Sequence, residues 1–312
     1  MTDRSGVEST MPGNKDIVLL DGGTGTELER RGVPMDGNAW SATAVLSHPQ
    51  VVRDVHRDYI EAGADVIIAN TFSLARHMLI PAGLSEHFRK MNSEAVKLAI
   101  SARDDFATRD VAVAGSISPT SFGPRGGAGR PDTQGLTSGF AEQAEILAES
   151  GCDLLVIEMI SEVAVGSLAV QAASDTGLPV WLGFSCRRSE EGDLVLWSGR
   201  DSLTEGVRAI APLGGSAALI MHTNVTEATE ALSQLKQAWD LSLGPVGVYA
   251  HSGRFVMPNW QFTDISPDEY AVEAETWLKM GATVIGGCCG IGPSHIQKLN
   301  ETYGAKSRPN SN

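Results

Sequence analysis

The amino-acid sequence predicts an α/β fold, specifically a single-domain (β/α)8 barrel (TIM barrel) over residues 16–303. Two observations carry this prediction. Eight short apolar runs rich in β-branched residues recur along the chain, and longer helical patterns separate them. Runs that are apolar throughout are typical of parallel strands buried on both faces, and eight of them alternating with helices favour a barrel. The runs cover residues 17–20, 65–69, 111–115, 154–157, 180–184, 217–221, 246–250 and 283–287.

The helical patterns have recognisable beginnings and ends. In the pattern over residues 47–62, Ser47 is the predicted N-cap, Pro49 lies in the first turn and Gly63 ends the helix. The joins EAGADV, ESGCDL and KMGATV each lead from a helix end through a glycine into a buried strand, as in βα repeats. Further helices are predicted over residues 138–150, 226–239 and 267–280.

A doubly wound open sheet is the alternative architecture. It would carry a G-x-G-x-x-G fingerprint on the first strand–helix turn. The segment DGGTGTEL at residues 21–28 lacks that spacing and has an acid where a phosphate would bind. The barrel is therefore the favoured fold.

The charge and the chain ends exclude several classes of partner. The 312 residues carry a formal net charge of −14, which argues against nucleic acid and anionic membrane surfaces as partners. Residues 1–15 are polar, unlike a signal peptide, and no segment approaches the roughly 20 apolar residues of a membrane span. We expect residues 1–15 and 304–312 to be disordered tails.

The Gly/Pro-rich residues 117–137 predict a long loop, which is either a lid or disordered. Arg125 and Arg130 in this loop either bind a carboxylate or stay solvated.

The sequence has four cysteines, too few for a disulfide scaffold. Cys288 and Cys289 are adjacent, and a disulfide between neighbouring cysteines would be strained. Reduced thiols favour a cytoplasmic protein in which cysteines bind metal or serve catalysis. Cys152 and Cys186 have no ligand pattern nearby, so we expect them in the core or in a wall.

Polar and thiol side chains collect where the predicted strands end. In a barrel these ends meet at one rim, which carries the chemistry. Cys288 and Cys289 could both reach one zinc ion, although either could instead pack as a small apolar residue. Asp21 and Glu158 could together bind an ammonium group, or each could cap a helix or pair with an arginine. The rim residues are Asp21, Asn70, Thr71, Ser116, Glu158, Ser185, Cys186, Asn224, His251, Cys288 and Cys289.

Three segments carry a resemblance to the homocysteine S-methyltransferase family. They are LLDGGTGTELERRG at residues 19–32, the segment from NAWSA to ANTFS at residues 38–73, and GATVIGGCCG at residues 281–290. The resemblance extends over residues 17–296. The AWSA segment and the chain length are more similar to the branch that uses S-methylmethionine than to the betaine branch.

Membership would imply a barrel, a catalytic zinc ion and homocysteine as the methyl acceptor, with methionine as product. Asp21 and Glu158 match the acids that would bind the acceptor's amino group, and Cys288 and Cys289 match two zinc ligands. The donor would be a sulfonium compound, S-methylmethionine or S-adenosylmethionine. The other expected substrate contacts are Gly22, Thr71 and Asn224.

One part of the sequence departs from the family pattern. The third zinc ligand is normally a cysteine in an Asn-Cys pair that ends strand six, whereas the matching pair here is Asn224-Val225. Imidazole is also a zinc ligand, so His251 or His222 could complete the site. We favour His251, because His222 should lie three residues, about 10 Å, below Val225 along an extended strand. If neither histidine binds zinc, both only shape the pocket, and zinc binds weakly or not at all.

Two hypotheses for the function follow. In the first, zinc binds the acceptor thiol as a nucleophilic thiolate that attacks the methyl group of the sulfonium donor. Trp40, Phe72 and Phe184 would then face the donor's positive charge, or else they pack within the barrel. In the second, the chain has lost the zinc site and binds or processes another amino-acid-like sulfonium or betaine ligand.

Overall fold

The computed structural model describes residues 17–120, 131–263 and 265–304. The predicted tails fall outside this range, apart from Gly304, which directly follows the last helix. Arg125 and Arg130 of the predicted loop also lie outside the described residues. The loop itself is shorter than predicted, because a strand continues to Ile117 and the next helix begins at Thr133.

The described residues form eight parallel strands in a barrel, which confirms the predicted fold class. In the order β1-β8-β7-β6-β5-β4-β3-β2 each strand pairs with the next, and a parallel bridge between Leu20 and Val66 joins the two ends. The Asp21 N–H donates to the Val66 carbonyl at 3.0 Å, and the Asp65 N–H donates to the Leu19 carbonyl at 2.7 Å. These hydrogen bonds exclude the open-sheet alternative. The strands are β1 (Val18–Leu19), β2 (Val66–Ile68), β3 (Ala112–Ile117), β4 (Leu154–Ile160), β5 (Val180–Phe184), β6 (Ala217–Asn224), β7 (Val246–His251) and β8 (Val284–Ile285).

Each strand is followed by a helix that packs on the outside of the barrel. In strand order, the helices that return the chain are Pro49–Ala62, Phe88–Phe106, Thr133–Glu149, Val163–Ser174, Leu203–Ile210, Val225–Ala238, Pro267–Lys279 and Pro293–Tyr303. Shorter helices occupy Thr24–Arg30, Ala44–Ser47 and Arg76–Leu79, and 3-10 turns occupy Ser41–Thr43, Phe72–Leu74, Ser85–His87 and Ala211–Leu213.

Local signals in the sequence set several helix ends. Gly63 ends its helix in the left-handed conformation at φ 111°, as predicted, and Ser266 begins another with a capping box to Glu269. Ser47 was wrongly predicted as an N-cap. It ends the short helix Ala44–Ser47, where its hydroxyl donates to the Thr43 carbonyl, and His48 takes the cap position.

Apolar side chains fill both sides of the sheet. One cluster lies inside the barrel and includes Val66, Val156 and Leu219, whereas a larger one lies between the strands and the helices. Cys152 and Cys186 are free thiols buried in the outer cluster, which confirms their predicted packing role. Within the described residues, no helix combines the length and the apolar character that crossing a bilayer requires.

Two hairpins extend the rim at the carboxyl ends of the strands. The first pairs Cys186–Arg188 with Leu194–Leu196 after β5, and the second pairs Arg254–Val256 with Asn259–Gln261 after β7. The segments 197–200 and 253–260 place side chains over the mouth of the barrel. The hairpins therefore contribute walls to a cavity that is open to solvent at the rim.

Candidate active site

A cavity of about 1010 Å³ opens at the carboxyl ends of the strands. Its floor contains the thiols of Cys288 and Cys289, the imidazoles of His222 and His251 and the carboxyl group of Glu158. The aromatic side is formed by Trp40, Phe72, Phe255 and Trp260. The polar side is formed by Thr120, Ser161, Glu162, Ser198 and Arg200. The predicted rim is therefore the site at which chemically useful groups converge.

Three potential metal ligands meet at the cavity floor. The Sγ atoms of Cys288 and Cys289 are 3.9 Å apart, and Nδ1 of His222 lies 3.6 Å from Sγ of Cys288. One ligand atom from each of these residues lies within 4.8 Å of the other two. Burial, together with the neighbouring His251, lowers the pKa of His222 well below its usual range. His222 is therefore a neutral imidazole with a lone pair for a metal.

The conformation after β8 brings the two thiols together. A Cβ atom at Gly286 would lie 2.4 Å from Cβ of Leu20, and one at Gly287 would lie 2.3 Å from a methyl carbon of Ile291. Only glycine permits this close approach of the chain to its neighbours. The Cys288 N–H then donates to the Ala250 carbonyl at 3.0 Å, which fixes the start of the Cys-Cys turn.

A bulge in β6 brings His222 to the thiols. Met221 pairs with Tyr249 and Asn224 pairs with His251, so two residues of β6 face one residue of β7. His222 itself has a φ of 39°, and its carbonyl accepts a hydrogen bond from the Ser185 hydroxyl at 2.9 Å. The expected separation of about 10 Å assumed an extended strand, and the bulge makes that geometry wrong.

The structure does not place His251 or Val225 among the clustered ligand atoms. His251 lies beside His222, with ring centroids 4.6 Å apart, but it is outside the three-residue group found among the described residues. Its Nδ1 is buried and has no hydrogen-bond partner there, and burial lowers its pKa to about 4. Val225 is the first residue of a helix and packs in the outer core. The third residue of this candidate metal-binding group is thus His222 and not the predicted His251.

Glu158 lines the cavity, whereas Asp21 does not line it but is buried close enough to Glu158 to interact with it electrostatically. Oδ2 of Asp21 accepts from the Ile68 N–H at 2.7 Å, whereas Oδ1 is buried without a hydrogen-bond partner in the described residues. The Ser116 hydroxyl donates to Glu158 at 2.5 Å. Burial raises the pKa of both carboxyl groups, and the charge of Glu158 raises that of Asp21 further. A cation between the two carboxylates would offset the free-energy cost of burying them in their charged form.

The three other predicted substrate contacts have different positions. Gly22 lines the cavity, and a Cβ there would lie 2.3 Å from the Ile291 carbonyl oxygen. Thr71 is turned away, because its hydroxyl donates to the Ser116 carbonyl at 2.8 Å and accepts from the Ser116 N–H at 2.9 Å. Asn224 caps the helix Val225–Ala238, its Oδ1 accepting from the Thr226 N–H at 3.1 Å. Neither Thr71 nor Asn224 lines the cavity.

The aromatic lining differs in part from the prediction. Trp40 and Phe72 line the cavity in an edge-to-face arrangement, with ring centroids 6.5 Å apart. Phe184 does not, because it is buried between the strands and the helices. Trp197 and Trp260 were not predicted, and their rings lie 5.4 and 5.7 Å from that of His222. The Glu-Glu-Gly-Asp turn at residues 190–193 was the available signal for the hairpin that precedes Trp197.

Backbone strain is concentrated at this cavity. Among the described residues, the non-glycine residues with positive φ are Trp40, Met159 and His222, and all three line the cavity. Such conformations are costly for residues with a side chain, and they cluster at functional sites. Met159 follows Glu158 at an irregularity in β4, so the strain there accompanies the placement of the acid.

The chain is similar to known proteins over almost its whole length. The family model described as homocysteine S-methyltransferase matches residues 18–303. The chain is 29% identical to homocysteine S-methyltransferase of Escherichia coli, over 91% of this chain and 94% of that protein. It is 27% identical to homocysteine S-methyltransferase YbgG of Bacillus subtilis, over 91% of this chain and 93% of that protein.

A solved structure has the same fold over nearly the same length. The crystal structure of the homocysteine methyltransferase MmuM from Escherichia coli, in its metallated form, superimposes with a TM-score of 0.74 at 27% identity. The match covers 93% of this chain and 97% of that one. The chain therefore belongs to the homocysteine S-methyltransferase family and is an S-methyltransferase.

Proposed function

We propose that this chain transfers a methyl group from a sulfonium donor, S-methylmethionine or S-adenosylmethionine, to the thiol of homocysteine and so forms methionine. One observation carries the proposal: the thiol–imidazole cluster lines the same cavity as Glu158, and the buried Asp21 lies close enough to Glu158 to interact with it electrostatically. Homocysteine has a thiol at one end and an ammonium group at the other. Each end has a complementary partner in this arrangement.

We propose zinc as the metal, held by Cys288, Cys289 and His222. Two sulfurs and one neutral imidazole nitrogen are donors that zinc prefers, and catalytic zinc sites typically have three protein ligands, so these three residues would suffice to hold it. When bound, zinc keeps the acceptor sulfur ionised at neutral pH while it remains nucleophilic. His251 then packs against the ligand His222 rather than binding the metal itself.

The surrounding residues orient the reactants and exclude water. Asp21 and Glu158 bind the acceptor's ammonium group, with Oδ1 of Asp21 as the acceptor atom that lacks a partner. The acceptor's thiol proton leaves to solvent on binding. An electron pair of the acceptor sulfur then forms the new S–CH3 bond, and the broken C–S bond leaves its pair on the donor sulfur as a neutral thioether. The donor loses its positive charge as the methyl group leaves, so a strongly hydrated donor would have to lose that hydration during the reaction. The indole rings of Trp197 and Trp260 can face the sulfonium in place of water.

The test measures methionine formation and zinc content in the same preparations. Purified protein is incubated with homocysteine and either sulfonium donor, and methionine is quantified by mass spectrometry. We expect methionine from at least one donor and about one zinc per chain, with both lost in Cys288→Ser. The second hypothesis, a chain that has lost the zinc site, predicts a different result. Protein made in zinc-replete medium would then hold no zinc and form no methionine, but it would bind a sulfonium or betaine ligand.

A further inference from the structure

An ion pair on the polar side of the cavity is not used by the acceptor. Nη1 of Arg200 lies 2.7 Å from a carboxylate oxygen of Glu162, and both residues line the cavity. The Glu162 side chain is 14% exposed and that of Arg200 is 61% exposed. The pair therefore presents a shielded negative and an accessible positive group to the same space.

The backbone that carries this pair is held by hydrogen bonds. The Trp197 N–H donates to the Ser185 carbonyl at 2.8 Å, and the Ser198 N–H donates to the Ser161 carbonyl at 3.0 Å. These bonds attach the segment after the first hairpin to the ends of β4 and β5. The pair thus belongs to a preorganised wall, as a recognition site requires.

The same segment connects the mouth of the cavity to its floor. The indole ring of Trp197 lies 5.4 Å from the His222 imidazole, and Arg200 follows three residues later, at most about 10 Å along the chain. A ligand whose cationic sulfur faces Trp197 can therefore extend toward Glu162 and Arg200. The deeper acids Asp21 and Glu158 are reserved for the acceptor, so a second charged headgroup needs a separate site.

We infer that Glu162 and Arg200 bind the ammonium and carboxylate groups of the donor, while Trp197 faces its sulfonium. This inference rests on the proposed function and specifies its donor as an α-amino-acid sulfonium. Guanidinium binds carboxylate with two parallel hydrogen bonds, and Trp is the best aromatic partner for a cation. The Arg200 side chain is 61% exposed, so its guanidinium can bind a ligand carboxylate without leaving a buried position.

The experiment compares donors with and without the headgroup on the zinc-loaded enzyme. The donors are S-methylmethionine and trimethylsulfonium, and the variants are Arg200→Gln and Glu162→Gln. Arg188→Gln is the matched control, because Arg188 lies on the hairpin that precedes Arg200 and pairs with Glu230 on the helix Val225–Ala238, outside the cavity. The KM for homocysteine is measured in parallel.

We expect Arg200→Gln to raise the KM for S-methylmethionine about tenfold to a hundredfold, the range for losing a hydrogen bond to a charged group. The preference for S-methylmethionine over trimethylsulfonium then falls by a similar factor, whereas the KM for homocysteine stays at the wild-type value. Arg188→Gln leaves the preference at the wild-type value. Equal losses with both donors, a rise in the homocysteine KM alone, or a wild-type enzyme that does not prefer S-methylmethionine would overturn the inference.

Calorimetry separates this result from failure of the proposed function. If no sulfonium donor methylates homocysteine, the proposed function fails, and titration of S-methylmethionine into the protein decides the inference by itself. Binding that is weakened by Arg200→Gln but not by Arg188→Gln supports the headgroup site. Binding that is absent, or equal in all three proteins, contradicts it.

Discussion

The imidazole rings of His222 and His251 lie 4.6 Å apart, and Nδ1 of His222 lies 3.6 Å from Sγ of Cys288, whereas His251 is outside the three-residue thiol–imidazole group found among the described residues. Burial lowers the pKa of both rings, so both are neutral at physiological pH. The two histidines thus have the same protonation state and different neighbours. Their different positions predict different effects of substitution.

Replacing His222 by alanine should weaken zinc binding strongly. The change removes one of three donor atoms, so we expect an affinity loss beyond the tenfold to hundredfold that is typical of losing an outer partner of a ligand. Competition with a chromophoric chelator measures the affinity. His222→Cys, which restores a ligand atom, should recover most of it.

His251→Ala is the matched control for this experiment. His251 contacts the ligand His222 without joining the cluster, so its loss should reduce zinc affinity by no more than about a hundredfold. If His251→Ala abolished zinc binding while His222→Ala retained it, the assignment of the third ligand would be reversed.

Glu158→Gln should weaken homocysteine binding and leave the metal in place. Glutamine keeps an oxygen to accept from the Ser116 hydroxyl but removes the charge that faces an ammonium group. We expect the KM for homocysteine to rise about tenfold to a hundredfold, as for the loss of a charged hydrogen-bond partner. Zinc content, measured on the same samples, should stay at the wild-type value. Loss of zinc in parallel with the KM effect would mean that Glu158 supports the metal site instead.

The sequence predicted those features of the site that depend on strand order. Asp21, Glu158, Cys288 and Cys289 each follow a buried apolar run, and a barrel brings the ends of such runs to one rim. The position of His222 could not be predicted in this way. The bulge that redirects it is held by residues of the preceding strand end, so it depends on contacts between distant parts of the chain.

The same limitation applies to Thr71 and Asn224, which were predicted to contact the substrate but do not line the cavity. Both residues were predicted to lie on the rim where strands end, but strand position does not determine which way a short polar side chain turns. Hydrogen bonds to the backbone of Ser116 and Thr226 satisfy them instead. Short polar side chains near chain turns often bond to nearby backbone groups, and this alternative competes with a role in binding.

Asn224→Ala should therefore reduce stability rather than substrate binding. The change removes the side-chain cap of the helix Val225–Ala238, which typically costs about 1 kcal/mol. Urea denaturation should show this loss, while the KM for homocysteine stays unchanged. Asn224→Ser keeps a capping oxygen and should retain most of the stability. A large KM effect in the serine variant would return Asn224 to the binding site.

His56 is a buried histidine outside the site, and it makes folding sensitive to acid. It lies in the helix Pro49–Ala62, and both ring nitrogens are buried without a hydrogen-bond partner in the described part of the chain. Burial alone lowers its pKa to about 4 from the ordinary 6.5. The unfolded chain therefore binds a proton more readily than the folded chain as the pH falls below about 6.5.

His56→Leu should remove this part of the acid sensitivity. The wild-type stability attributable to a neutral His56 is fully present above pH 6.5 and is lost as the pH falls toward 4, with about 2 kcal/mol lost at pH 5. Leucine has a similar volume and does not titrate, so the variant should gain about that amount on wild type between pH 8 and pH 5. Urea denaturation of both proteins at the two pH values measures the difference, in which the contributions of distant histidines cancel. If the two proteins lost stability equally between these pH values, the histidine would have to be solvated or paired in the folded state.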